Sequence, residues 1–162
     1  HNEEDIMETA FRKEVEEALL SNYEAYYRLA YSYTGNEADA LDIIQESAYQ
    51  SIRNAGSLKN PEFAGTWIYR IVVNTALDLL RKKKRLAPEE ELSGSWTEDR
   101  LPDPDLAAAL KELPEKDRTL LLLRFFEELS FSGISEILGE NENTVKTRYY
   151  RLLERLRTRL SA

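Results

Sequence analysis

The sequence predicts an all-α protein of two small helical domains joined by a flexible acidic linker, and three observations predict it. Apolar residues recur at three- and four-residue steps almost throughout, with 6 Gly and 5 Pro among 162 residues to interrupt them. The pattern breaks over residues 86–104, where Pro88, Gly94, Pro102 and Pro104 fall among Glu89, Glu90, Glu91, Glu98, Asp99 and Asp103. Residues 130–159 then read as two helices about a tight Gly-containing turn, with basic residues near the start of the second, which is a helix-turn-helix pattern. The expected divisions are 1–85, 86–104 and 105–162.

Composition narrows the function classes. At 42% hydrophobic and 32% charged the chain is globular rather than disordered. It has no Cys, which excludes a disulfide framework, a thiolate nucleophile and a Cys-based zinc site. The single His is His1, to which no role is assigned. No apolar run is long enough to span a bilayer and no signal peptide is read, so the expected compartment is the cytoplasm.

Net charge is −8, which by itself argues against nucleic acid. Its distribution reverses that reading: residues 1–50 carry −9, 51–85 carry +6, 86–119 carry −6 and 120–162 carry +1. From Asn143 onward six basic side chains face Glu154 alone. Two basic islands separated by acidic stretches suit two nucleic-acid contacts, with acidic surface left for protein partners.

The first helix is expected over 4–20, with Met7, Phe11, Val15, Ala18 and Leu19 inward. Ser21 and Glu24 stand at capping-box spacing, so a second helix is expected from there to about Gly35. It holds Tyr23, Tyr26, Tyr27, Tyr31 and Tyr33, which either pack with wet hydroxyls or stack on a base or partner. Asn36 caps a third helix with Asp39 at N3, and Leu41, Ile44, Ala48 and Ile52 form its expected buried row. Asp42, Gln45, Glu46, Tyr49 and Arg53 share the other side, a solvated face or a docking face.

After a loop at 54–60, Asn60, Pro61 and Glu62 read as cap, Pro at N1 and first-turn acid of a fourth helix running to about Arg85. Ile68, Ile71, Val72, Thr75, Ala76 and Leu79 are expected inward, and Arg70, Asn74, Asp78 and Arg81 make one polar ridge. Arg81, Lys82, Lys83, Lys84 and Arg85 close the helix. Cations favour a helix C-terminus, but five in succession exceed what a cap requires and suit a phosphate backbone. Asp78 is spaced to pair with Arg81 or Lys82. Trp67 suits the core or, beside Arg70 and Asn74, an unpaired base. In the acidic stretch Trp96 is unexplained by solvation and could anchor it.

Asp103 or Asp105 starts a helix through Leu113, and Pro114 starts another whose Leu120, Leu121, Leu123, Arg124 and Phe125 run to Phe126. Ser130 caps a short helix with apolar Phe131, Ile134, Ile137 and Leu138, Gly139 ends it as a left-handed residue, and Asn141 caps the next. There Val145, Tyr149, Leu152, Leu153, Leu156 and Leu160 make the inward stripe, while Lys146, Thr147, Arg148, Tyr150 and Arg151 lie largely off it. An αα-hairpin with a solvated basic face is the plainer alternative. No Gly-rich phosphate loop, histidine base or metal-ligand cluster appears, so no catalytic residue, cofactor, metal or small-molecule substrate is expected. Glu127 and Glu128 read as surface charges.

Taken together, the chain from about Tyr23 to Leu160 resembles the extracytoplasmic-function (ECF) class of bacterial sigma-70 factors. Region 2 of that family is matched by Asp42-Ile43-Ile44-Gln45-Glu46, Thr66-Trp67-Ile68-Tyr69-Arg70-Ile71 and the run from Asn74 to Arg81. Region 4 is matched by Leu113-Pro114-Glu115-Lys116-Asp117-Arg118, Leu129-Ser130 and Asn143-Thr144-Val145-Lys146-Thr147-Arg148. The phrases Tyr27-Arg28-Leu29-Ala30-Tyr31-Ser32-Tyr33, Arg124-Phe125-Phe126-Glu127 and Gly139-Glu140-Asn141 further resemble its SigV-type envelope-stress branch.

The resemblance implies a promoter-specificity subunit that binds RNA polymerase core through the β′ clamp helices and the β flap. Asp42, Gln45, Glu46 and Tyr49 would dock on the clamp. Phe63, Ala64, Trp67, Arg70 and Asn74 would meet the opened −10 strand, with Asn74 helping to capture a flipped base, and Arg81, Lys82, Lys83, Lys84 and Arg85 would hold its phosphates. Thr144, Lys146, Thr147, Arg148, Tyr150 and Arg151 would enter the −35 major groove. The acidic linker would thread the polymerase cleft, and an anti-sigma factor, membrane-anchored in this class, would sequester a chain that is otherwise a monomer. Gly133 departs from a helix-favouring Glu, at about 1 kcal/mol of local helix stability. Ser135 replaces Ala, and Asn143 replaces a common Gly where it bears on the −35 sequence read. The competing reading is a stand-alone helix-turn-helix repressor or activator. It leaves the second basic, aromatic-bearing stretch at 67–85 without a purpose.

Overall fold

The computed structural model describes residues 2–86 and 104–161, and every regular element among them is helical. The chain divides into two compact units, His1–Ser93 and Gly94–Ala162. The linker expected at 86–104 and Trp96 lie outside the described residues except at their ends, where Leu86 closes one helix and Pro104 opens another.

In the first unit α1 (Glu3–Ser21), α2 (Tyr23–Thr34), α3 (Glu37–Arg53) and α4 (Ala64–Leu86) surround one core. α2, α3 and α4 pack on one another, and α1 lies on α4 and on the short turn Ala55–Ser57. Val15, Tyr26, Leu29, Tyr33, Ile43, Ile68, Val72 and Ala76 are almost wholly removed from water. Each large apolar side chain so buried contributes about 1.5–3 kcal/mol. The expected caps form: Asn36 accepts from the Asp39 N–H at 2.7 Å, and Asn60 from the Glu62 N–H at 3.0 Å.

Several expectations need correction. The Ser21–Glu24 capping box does not form, because nothing stops α1 before Ser21 and the break falls on Asn22, whose side chain caps neither helix. Met7 is 54% exposed, since residues 3–10 of α1 run beyond the core that starts at Val15. In α3 the deepest row is Ala40, Ile43, Ile44, Ser47 and Ser51, with Leu41, Ala48 and Ile52 at its margins. The buried Ser51 hydroxyl donates to the Ser47 carbonyl at 2.6 Å, while the Ser47 hydroxyl is buried without a hydrogen-bond partner. The fourth helix is prefaced by a separate turn, Pro61–Phe63, and its buried face takes in Tyr69, Val73 and Leu80, while Ile71, Thr75 and Leu79 are half-buried.

In the second unit α5 (Pro104–Lys111), α6 (Glu115–Leu121) and α7 (Phe131–Leu138) all pack on α8 (Glu142–Ser161). α5 ends at Lys111, short of the expected Leu113, which is held by its N–H on the Leu110 carbonyl at 3.2 Å. The expected helix from Pro114 through Phe126 also stops being regular. After Leu121 the chain takes one wide π turn, Leu122–Phe126, closed by the Glu127 N–H on the Leu122 carbonyl at 3.0 Å. Leu120, Leu121, Leu122 and Leu123 are all buried, which a uniform helix on one side of a core does not achieve, and the wide turn re-aims the chain beyond Phe126. Glu128 then adopts a left-handed backbone (φ 56°), uncommon for a residue with a side chain.

The helix-turn-helix forms as expected at its joints. Ser130 accepts from the Gly133 N–H at 3.0 Å, Gly139 is left-handed at φ 67°, and Asn141 accepts from the Asn143 N–H at 2.8 Å. Ile134, Ile137, Val145, Tyr149 and Leu152 form the shared core of α7 and α8. Leu160 is 42% exposed rather than inward, because α8 outlasts the helices that cover it.

Candidate nucleic-acid and partner interfaces

Three surfaces carry the residues singled out by sequence. On α3, Asp42, Gln45, Glu46, Tyr49 and Arg53 all point to solvent, opposite the buried Ile43 and Ser47. Gln50 donates to Glu46 at 2.9 Å, and Tyr49 leaves an aromatic ring 59% exposed in the middle of this acidic strip. An exposed ring flanked by carboxylates is stable here only because the rest of α3 is anchored.

The second surface is α4 with the turn before it. Phe63 stands exposed at the end of that turn, Trp67 is half-buried one helical turn on, and Arg70 and Asn74 are exposed beyond it. Ala64 is only 3% exposed, so it seats Phe63 and does not itself offer surface to a ligand. The start of α4 is fixed from below by a feature the sequence did not disclose. The buried Tyr26 hydroxyl donates to the Gly65 carbonyl at 2.9 Å, and its ring meets Tyr69 edge-on with centroids 4.7 Å apart. Burial pushes the Tyr26 phenol above its ordinary range, partly offset by a hydrogen bond with Asn22, so it stays a neutral donor. The Asn22 amide lies over Gly65, where an added Cβ would meet it in ordinary van der Waals contact at 3.4 Å.

At the far end of α4 the cations are not equivalent. Arg81 pairs with Asp78 at 3.2 Å, both well exposed, a contact worth 0 to about 1 kcal/mol. Lys83 turns back to the Asp39 carboxylate on α3, which also accepts from the Asn36 amide at 2.7 Å. Partial burial pulls the Asp39 carboxyl upward, but the hydrogen bonds from Lys83 and Asn36 and the Lys83 charge outweigh it and hold the group below its ordinary value. Lys82, Lys84 and Arg85 remain exposed.

The third surface is the N-terminal half of α8. Thr144, Lys146, Thr147, Tyr150 and Arg151 are exposed, and a shallow groove is lined by Asn143, Thr144, Thr147, Arg148 and Arg151. Arg148 differs: its side chain is 23% exposed and paired with Glu140, the residue after the turn glycine. Phe131, Tyr149 and Tyr150 form an aromatic cluster with centroids 5.5–6.1 Å apart. Arg124 stacks over Phe131 at 4.2 Å while donating to the Leu129 carbonyl at 3.0 Å. That cation–π contact ties the π turn to the helix-turn-helix, and sequence spacing gave no hint of it.

Among the described residues no group of His, Cys, Asp or Glu side chains is placed to hold a metal ion, and no helix is long and apolar enough to cross a membrane. What the described residues present is long helical faces bearing exposed cations, amides and rings.

Comparison with known proteins agrees with this arrangement. Residues 19–86 match the family model Sigma-70 region 2, and residues 105–156 match Sigma-70, region 4. The chain is 43% identical over 159 residues to RNA polymerase sigma factor SigV of Bacillus subtilis, covering 93% of this chain and 96% of that protein. It is 31% identical over 184 residues to the ECF RNA polymerase sigma factor SigW of the same organism, covering 95% and 98%. Its fold is similar to that of the sigma factor RpoE crystallised with the anti-sigma factor NepR from Bartonella quintana (TM-score 0.72, 21% identity, 91% and 96% covered). It is also similar to CnrH in complex with the cytosolic domain of CnrY (TM-score 0.68, 21% identity, 94% and 97% covered).

Proposed function

Because the chain belongs to the sigma-70 family of RNA polymerase sigma factors, in its extracytoplasmic-function class, we propose that its three exposed faces divide the work of promoter-specific initiation. Asp42, Gln45, Glu46 and Tyr49 on α3 dock on the β′ clamp helices, and the second unit engages the β flap. Phe63, Trp67, Arg70 and Asn74 receive the opened −10 strand, with Ala64 seating Phe63. Arg81, Lys82, Lys84 and Arg85 hold phosphates, and Lys83 contributes from its tether on Asp39. Thr144, Lys146, Thr147, Arg148, Tyr150 and Arg151 read the −35 duplex. Residues 1–85 and 105–162 are the working domains, and 86–104 threads the polymerase cleft between them.

The observation that carries this reading is the pairing of two unlike exposed, cation-bearing helical faces in one chain. α4 offers rings and an amide along a ridge ending in a run of cations, which suits unpaired bases and their phosphates. α8 offers threonines and arginines at the start of a helix held by a helix-turn-helix, which suits a major groove. Extruding a base costs a few kcal/mol, which stacking and hydrogen bonding in the receiving site offset. The chain works without covalent chemistry, in the cytoplasm where core polymerase is. A membrane-anchored anti-sigma factor restrains it as a heterodimer until an envelope stress releases it; restraint by a bound partner is supported by similar folds solved in complex with the anti-sigma factor NepR and with the cytosolic domain of CnrY.

Transcription with purified core polymerase on a promoter library tests the proposal. Initiation should require both core and this chain, and Asn74→Ala should impair selection at −10 while leaving −35 preference intact. Binding of the isolated chain to duplex DNA with no core-dependent initiation would favour a stand-alone repressor instead.

A further inference from the structure

Glu140 sits where a DNA-binding unit would not be expected to hold an acid, at the turn of the helix-turn-helix beside the cations of α8. Its backbone is fixed: it follows left-handed Gly139, and its N–H donates to the Ser135 carbonyl at 3.1 Å. Its side chain is 18% exposed: Oε1 accepts a hydrogen bond from Lys116 of α6 at 3.2 Å, while Oε2 is buried in an ion pair with the Arg148 guanidinium and has no hydrogen-bond partner of its own. The Lys116 side chain is 70% exposed, so the Arg148 contact is the better-shielded of the two. Lys146 and Arg151, on the same helix, are exposed.

We infer that Glu140 is a positioning residue that makes Arg148 a base reader in place of a phosphate contact. The inference rests on the −35 role proposed for α8. A guanidinium has five N–H donors in a planar fork, and one carboxylate oxygen on Nη2 leaves donors available to a base edge. What the carboxylate removes is net charge and freedom. Attraction to a phosphate backbone depends on net charge, and each phosphate neutralised steepens the salt dependence of binding by about 0.9 in log–log slope. Recognition of a guanine edge depends on the direction of the fork, and a good bidentate pair discriminates about tenfold or more against the wrong base. Pairing Arg148 with Glu140 weakens the first and preserves the second. It also orders the side chain before DNA arrives, where the exposed Lys146 and Arg151 must be ordered on binding.

Holoenzymes carrying wild-type chain, Glu140→Gln, Arg148→Ala and the double variant should be compared on promoters with a fixed −10 element and a randomised −35 segment. Arg148→Ala flattens preference at one −35 position. Glu140→Gln flattens the same position about tenfold, and steepens the salt slope by about 0.9 on DNA with no −35 element. In the Arg148→Ala background, Glu140→Gln adds nothing. Arg148→Lys, which keeps the charge and loses the fork, flattens the same position without changing the slope, and it serves if Glu140→Gln melts at lower temperature. Lys116→Ala leaves the preference intact. Unchanged preference in Glu140→Gln, or an effect that persists without Arg148, overturns the inference. Failure of the wild-type chain to initiate with core overturns the functional reading itself, which is a distinguishable outcome.

Discussion

Helices α4 and α8 are both long, 23 and 20 residues, and both are basic, yet they distribute their charge differently. In α4 the cations gather in the last turns, where the helix dipole favours them. In α8 they are spread along the helix: Arg155, Arg157 and Arg159 lie in the second half, but Lys146, Arg148 and Arg151 come in the first, where the dipole gives no reward, so helix stability does not account for those three. Acids from other elements hold Lys83 of α4, through Asp39, and both Arg148 and Arg159 of α8, through Glu140 and Glu112. On the proposed reading the difference teaches that the same residue types serve two targets. A trailing run with rings upstream would follow a flexible strand, whereas cations early on a capped helix would be presented as a rigid edge.

The strongest way to break the comparison is to remove the core beneath each helix separately. Ile68→Ala and Ile134→Ala each delete a side chain with no exposure and should cost about 2–5 kcal/mol, read by urea denaturation of the chain. Equal damage to −10 and −35 selectivity from both would contradict a division of labour. Asn74→Ala is expected next, losing about 1–3 kcal/mol of discrimination among −10 sequences in single-round transcription, with stability unchanged because the side chain is exposed.

Smaller effects sharpen the picture of how each surface is held. Ser130→Ala should cost about 1 kcal/mol through loss of the α7 cap on the Gly133 N–H, lowering the melting temperature and weakening −35 binding. Tyr26→Phe should cost about 0.5–1.5 kcal/mol by removing the hydroxyl's hydrogen bond to the Gly65 carbonyl, and should disturb −10 but not −35 selection. The smallest effect concerns pH. The Asp39 carboxyl is lowered in the folded chain, so its stabilisation is complete above its unfolded value near 3.8 and is lost as pH falls through the lower folded value. Asp39→Asn should remove that part of the acid limb of a thermal-melting profile.

Much of this was legible because helix ends are local chemistry. Asn36, Asn60, Ser130, Gly139 and Asn141 act on residues two to four positions away, so a sequence displays both partners at once. The exposed faces of α3 and α4 followed from helical spacing for the same reason. What stayed hidden depends on distant partners. The Tyr26–Gly65 bond spans 39 positions and the Lys83–Asp39 pair 44, and no pattern announces which tyrosine or lysine is chosen. The π turn at Leu122–Phe126 was missed because four successive leucines look like helix until the core they must all enter is known. Met7 and Leu160 failed differently: both fit the helical stripe, but the stripe outruns the neighbours that would cover it.

The central claim is that α4 meets an opened strand while α8 meets intact duplex. The most direct test places a photocrosslinker at Arg70 and, separately, at Thr147, in holoenzyme on one promoter below and above the temperature at which it opens. The account predicts that position 147 crosslinks to −35 DNA at both temperatures, and that position 70 crosslinks to the −10 non-template strand only once the promoter has opened. Crosslinking of position 70 to closed duplex with equal yield, or to protein alone in the open complex, would contradict it.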